Sequence, residues 1–79
     1  MKYKPMEYSI SIAQGNVVTH MTFATGNTLT YYLDNDLEWI LIHDEMFMLF
    51  DSVESLNEYI QYCIEMYVVV FNDQPFSKN

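Results

Sequence analysis

Apolar residues change their spacing once along the 79-residue chain, and this change constrains the fold more than any other feature. As far as Phe50, apolar residues alternate with polar ones or form short continuous runs, and turn signals separate the runs, as in β-strands. From Val53 onwards they recur at the spacing of an α-helix. We therefore predict four or five strands followed by one helix. The predicted strands are residues 6–12, 17–24, 28–33, 37–42 and 46–50.

The connections between the predicted strands are too short for anything except hairpins. The turn signals are Gln14-Gly15-Asn16, Thr25-Gly26-Asn27, Asp34-Asn35-Asp36 and His43-Asp44-Glu45. Parallel neighbours would need crossovers of about a dozen residues, so the sheet is predicted to be an antiparallel meander. A single helix over residues 37–50 is the main alternative, and the absence of a helical period there disfavours it.

The helix has two candidate caps at its start. Asp51 would form a capping box with Glu54, and Ser52 suits the same role. The apolar stripe of the helix consists of Val53, Leu56, Ile60, Cys63, Ile64 and Tyr67. The opposite side carries Asp51, Glu54, Glu58, Gln61 and Glu65. The helix should therefore pack its stripe on the sheet and expose its acids, while residues 68–71 either end the helix or form a short strand.

These elements make a two-layer α+β domain, with an antiparallel sheet and one C-terminal helix packed on one face. The whole chain, residues 1–79, is predicted to be a single domain, with flexible ends at residues 1–4 and 72–79. A chain of this length builds one thin core and leaves little room for an enclosed substrate cavity.

Charge is distributed unevenly along the sequence. Eleven Asp and Glu residues face three Lys and no Arg, and the net charge is −8. The lysines lie near the ends, at Lys2, Lys4 and Lys78. Such a chain is poorly suited to bind nucleic acid or an anionic membrane directly, because both need Lys and Arg. The sequence has a single cysteine, no apolar run of about 18 residues and no signal-peptide pattern. These features favour a reducing, cytoplasmic setting.

Residues with catalytic or metal-binding chemistry are few. Cys63 falls in the apolar stripe near the end of the helix, where nothing is expected to activate a thiol. His43, Asp44 and Glu45 are consecutive in a turn and point in different directions, and His20 belongs to another strand. We therefore expect no catalytic residue, no metal site and no cofactor.

Two surface features are candidates for binding another protein. The first is a set of carboxylates that would imitate nucleic-acid phosphates: Asp34, Asp36, Asp44, Glu45, Glu54, Glu58 and Glu65. The second is a group of tyrosines that would anchor the contact: Tyr32, Tyr59 and Tyr62. The alternative interpretation is that the acids form ordinary solvated faces and that the tyrosines fill a thin core.

The string Phe50-Asp51-Ser52-Val53-Glu54-Ser55-Leu56 resembles the strand-to-helix junction of a small type I-F anti-CRISPR family, in which an antiparallel sheet also precedes the helix. Small, acidic, cysteine-poor α+β chains of this kind also resemble phage-encoded anti-defence proteins in general. The resemblance implies a non-catalytic inhibitor in the cytoplasm of a bacterial host cell. Its partner would be the basic nucleic-acid-binding groove of a defence effector.

A second hypothesis assigns the negative charge to solubility alone. In that case the protein is a homo-oligomeric or accessory interaction module that uses a tyrosine-rich face or a sheet edge, and a homodimer is its simplest form. The two hypotheses differ in their response to salt. Apolar contacts would persist at about 0.5 M salt, whereas contacts made by exposed charges would weaken.

Overall fold

The computed structural model describes residues 6–69, which form one antiparallel sheet followed by a helix. The five strands lie side by side in the order of the sequence, as a meander. The strands are β1 (Met6–Ala13), β2 (Asn16–Phe23), β3 (Thr28–Leu33), β4 (Trp39–His43) and β5 (Met46–Phe50). The helix α1 (Val53–Ile64) continues into a π-helical turn (Glu65–Val69). The predicted α+β class, the meander and the single C-terminal helix are confirmed.

The turns follow from residues that tolerate the left-handed backbone region. Gln14 and Gly15 have φ values of 54° and 84°, as a two-residue hairpin with the favoured twist requires. Asp44 has φ 56° in the equally short turn between β4 and β5, and Asp is among the residues that adopt this conformation most readily. Gly26 supplies φ 99° between β2 and β3. Adding a side chain at Gly26 would strain the turn even though the surrounding space is open.

The fourth strand begins later than predicted. Leu37 adopts φ 63° and cannot continue a strand, so β4 starts at Trp39 and not at residue 37. The carboxylate of Asp34 holds this loop, because its Oδ1 accepts hydrogen bonds from the backbone N–H groups of Asp36 (3.0 Å) and Glu38 (2.9 Å). This short-range bonding competes with strand formation and explains the shift.

Ser52, and not Asp51, caps the helix. Ser52 has extended backbone angles, and its Oγ accepts a hydrogen bond from the N–H of Ser55 at 3.1 Å. With the cap at Ser52, Glu54 lies one residue too early to complete a capping box. At the other end, Val68 and Val69 belong to the π-helical turn, while residues 70 and 71 lie outside the described residues. The predicted flexible ends, residues 1–4 and 72–79, also lie outside them.

The core lies between the helix and one face of the sheet, which we call the helix side. Its buried residues are Met21, Phe23, Leu29, Leu41, Leu56, Ile60 and Cys63. The helix packs mainly on β4 and β5. The ring of Tyr67, in the π-helical turn, reaches Phe23 on β2 with 5.1 Å between ring centroids. Of the predicted apolar stripe only Val53, in the first helical turn, is exposed, to 42%.

The opposite face of the sheet, the open side, is not covered by the helix. Val18 and Ile40 are nevertheless buried there by their neighbours, while Phe47 and Leu49 on β5 are exposed. Tyr31 and Tyr32 point to opposite sides, as adjacent strand residues must, so Tyr32 lies on the open side.

Candidate binding surface

The outward face of α1 carries a row of exposed carboxylates. Glu54, Glu58 and Glu65 are all exposed, and the buried residues of the same helix point to the sheet. From Glu54 to Glu65 the row rises about 16 Å along the helix axis. This placement follows directly from the helical period, and the structure agrees with it.

Further acids lie where the helix begins. The register pairs Trp39 with Phe50 at the end of β4 and β5. Glu38 precedes Trp39 and Asp51 follows Phe50, so these two acids come next beyond this end of the two strands. Both are exposed, as is Asp36 in the β3–β4 loop. Like charges that lie opposite each other on neighbouring strands repel one another. Asp51 is not among the carboxylates predicted to bind a partner, although the hairpin register alone would have placed it beside Glu38.

The carboxylate of Asp44 serves the fold at the other end of β4. Its Oδ1 accepts a hydrogen bond from the N–H of Thr28 at 3.0 Å, and its Oδ2 accepts one from Nδ2 of Asn27 at 2.8 Å. These bonds, the backbone bond first, lower the pKa of Asp44 below its usual value of 3.8. Asp44 therefore anchors the β4–β5 turn to the β2–β3 turn, and the neighbouring Glu45 is exposed.

Asp44→Asn should destabilise the protein at neutral pH by about 1 kcal/mol, a value that allows for solvent screening at this half-exposed site. Because the pKa of Asp44 is lowered by folding, its stabilisation is present above the unfolded pKa and is lost as the pH falls through the folded pKa. The difference between wild type and variant should therefore be full at pH 6 and much smaller near pH 2. Urea unfolding at both pH values measures it. An equal difference at both would show that the charge of Asp44 has no part in it.

The predicted tyrosine anchors do not lie together. Tyr62 is 56% exposed on the helix and therefore accompanies the row of acids. The neighbouring Tyr59, with 6.0 Å between the two ring centroids, turns its hydroxyl inward to His43. Tyr32 lies on the open side of the sheet, away from the helix. Only Tyr62 is therefore positioned to contact a partner bound at the helix.

His43 is the centre of a polar contact that ties the sheet to the helix. Its Nδ1 and Nε2 each lie 2.6 Å from a tyrosine hydroxyl, of Tyr59 and Tyr67 respectively. A neutral imidazole accepts one of these hydrogen bonds and donates the other. Burial is the main cause that raises the pKa of both tyrosines. His43 lies two residues after Leu41 on β4, so the strand period alone predicts that its side chain is on the helix side. That Tyr59 and Tyr67 are its hydrogen-bond partners depends on how the helix crosses the sheet and cannot be predicted from the strand.

Cys63 is fully buried beside this contact. Burial raises the pKa of its thiol, and a hydrogen bond with Tyr59 opposes that rise. The thiol therefore has the character of an inert core residue. In the part of the chain that the structure describes, no three His, Cys, Asp or Glu side chains are grouped so as to hold a metal ion.

Within residues 6–69, side chains that can carry a positive charge are few beside the acids. Eleven acids occur in the sequence and Asp73 alone lies outside residues 6–69, so ten fall within the described part, where Lys and Arg are absent. Within that range an ion pair can form only with His43 or His20. Nε2 of His43 lies 3.7 Å from Oδ2 of Asp44, a contact that is an ion pair only when the imidazole is protonated.

Comparison with known proteins assigns the chain to no family and gives it no function. The chain matches no protein family, and no curated protein or solved structure is significantly similar to it. Among residues 6–69, no helix is both long enough and apolar enough to cross a membrane.

Proposed function

We propose that the protein is a non-catalytic inhibitor that occupies a basic, nucleic-acid-binding groove on another protein. One observation carries the proposal: within residues 6–69, the helix and the loop and strand ends beside its start present exposed carboxylates, and no Lys or Arg occurs in that range. We call this surface the acidic face. It consists of Asp36, Glu38, Asp51, Glu54, Glu58 and Glu65. A surface of a single sign complements a groove of the opposite sign and speeds association with it.

The spacing of the charges supports this choice of partner. Phosphates along one strand of a duplex are about 3.4 Å apart, so about five of them span the length from Glu54 to Glu65. The helix row alone has a lower density than that. The acids at the start of the helix add charge at one end, and Asp44 and Glu45 add charge near the other. Together these groups imitate a short stretch of backbone, with the exposed ring of Tyr62 beside them as an apolar anchor.

The anti-defence role rests on the resemblance of residues 50–56 to a strand-to-helix junction of type I-F anti-CRISPR proteins. In that role the partner is a nucleic-acid-binding effector of a bacterial defence system. Inhibition would be stoichiometric, because the protein blocks the groove and performs no chemistry.

A salt-gradient capture experiment tests the proposal. The protein is immobilised, exposed to a nuclease-treated bacterial lysate and eluted with increasing NaCl, and the eluted proteins are identified by mass spectrometry. We expect nucleic-acid-binding proteins to be retained at about 0.05 M salt and released well before 0.5 M, since screening removes contacts between exposed charges. Retention only of proteins without basic grooves, or retention that persists at 0.5 M, would contradict the proposal.

A further inference from the structure

We infer that β1 pairs with β1 of a second copy, so that two chains form a continuous ten-stranded antiparallel sheet with Ile10 opposite Ile10 at the two-fold axis. This inference is independent of the proposed function, because it uses the half of the molecule that is farthest from the acidic face.

The first observation is an uncovered apolar surface on the helix side of β1 and β2. Tyr8, Ile10, Ile12 and Val17 are between 58% and 73% exposed. The register places Tyr8 opposite Met21, which is fully buried, so all four side chains share the face that the helix covers elsewhere. The helix packs over β4 and β5 and leaves this part open. Period-2 alternation is typical of a strand with one buried face, and the described residues leave that face of β1 exposed.

The second observation is the edge of β1. This strand pairs with β2 through all eight of its residues without a bulge, and it is the outermost strand of the sheet. Its outer edge therefore presents N–H and C=O groups that no other described strand pairs with. Residues 6–13 contain no Pro or Lys, which are the usual residues that prevent two edges from pairing. A long, regular, apolar edge is a template for strand addition.

Charge identifies a second copy as the occupant. From Tyr8 to Leu33 the sequence contains no Asp, Glu, Lys or Arg, so the part of β1–β3 that follows Glu7 carries no such charge for a charged partner to recognise. It also allows two strongly acidic chains to meet. In the joined sheet β4 of one copy lies seven strand spacings from β4 of the other, about 34 Å. This is several times the Debye length of about 8 Å at physiological salt.

The faces of the strand limit the registers that this pairing can adopt. Residues directly opposite in an antiparallel pair point to the same side, so even-numbered residues must meet even-numbered residues to keep the apolar face continuous. Ile10 opposite Ile10 places Tyr8 opposite Ile12 of the other copy, which is a favourable aromatic–aliphatic pair. Glu7 then lies opposite Ala13, and the two Glu7 residues are about 20 Å apart along the strands. Among residues 6–13, the pairing therefore brings no like charges together.

Light scattering of the full chain, with Ile10→Lys as the test variant, measures the proposed dimer. We expect twice the monomer mass of 9.4 kDa at about 0.1 mM protein, both at 0.15 M and at 0.5 M NaCl. Ile10→Lys should raise the dissociation constant at least about 30-fold, as for a central interface residue. The side chain is exposed in the single chain, so circular dichroism should stay unchanged. Phe47→Lys is the matched control, because Phe47 is similarly exposed on β5, and it should leave the dimer intact.

Disulfide trapping tests the register. Ile10→Cys should cross-link to itself under mild oxidation, because residues directly opposite have Cβ atoms about 5 Å apart. Ile12→Cys should not, since residue 12 lies opposite Tyr8 and about 14 Å along the strands from its own copy. The fully buried Cys63 serves as the internal background in wild type. A monomer at about 0.1 mM, a dimer that Phe47→Lys breaks and Ile10→Lys does not, or trapping only at residue 12 would each overturn the inference.

Discussion

Phe23→Ala should lower the free energy of unfolding by about 3–5 kcal/mol, the usual loss for a buried phenylalanine. Phe23 is 2% exposed and packs against Tyr67, which in turn binds His43. Its removal leaves a cavity where the end of the helical segment meets the sheet. A domain of this size is stabilised by only about 4–12 kcal/mol, so the variant should be close to unfolding at 25 °C.

Phe47→Ala is the matched control for this prediction. It makes the same chemical change on β5, where the side chain is 61% exposed on the open side. We expect a loss of at most about 1 kcal/mol, mainly from the lower strand preference of alanine. Urea unfolding followed by circular dichroism measures both variants. Similar losses at the two positions would show that the core does not lie on the helix side of the sheet.

Glu54→Lys combined with Glu58→Lys should weaken binding to the basic partner at least about tenfold, because two attractive contacts become repulsive. Both side chains are exposed on the outward face of α1, so the fold should be unaffected. The loss should be largest at low salt and should diminish as screening increases.

A control must separate the location of the charge from its amount. The control variant Thr22→Lys, Ala24→Lys adds two positive charges at exposed positions outside the acidic face. The variant Glu54→Gln, Glu58→Gln changes the net charge by the same amount within the acidic face. If the acidic face binds the partner, only the glutamine variant should bind less tightly. Equal losses in the two variants would show that net charge alone governs the association.

The fold was predictable because its determinants are local. Short turns with residues such as Gly15 and Asp44 leave only hairpins between the strands, and the change in apolar period marks the helix. The start of β4 was not predictable from apolar pattern, because Leu37 adopts a left-handed conformation that glycine and asparagine usually supply. The sequence alone does not distinguish Asp51 from Ser52 as the cap, because the distinction depends on the backbone angles of Ser52.

The position of a candidate site residue was predictable only where it depends on a single helix or strand. The helical period places Glu54, Glu58 and Tyr62 outward, and they are exposed. The role of Asp44 as an anchor depends on Thr28, sixteen residues away, and that of Tyr59 depends on His43 across the two layers. These contacts exist only once the sheet and helix have packed. Alternation likewise marks the apolar side of β1 but does not say what covers it.

Competition with nucleic acid is the most direct test of the central claim, that the acidic face occupies a nucleic-acid-binding groove. A protein retained in the capture experiment is purified and loaded with a fluorescent DNA or RNA ligand, and the wild-type chain is titrated in while anisotropy is recorded. We predict complete displacement of the nucleic acid at a stoichiometric amount of chain, and at least about tenfold weaker displacement by the Glu54→Lys, Glu58→Lys variant. A ternary complex in which the nucleic acid stays bound would contradict the account.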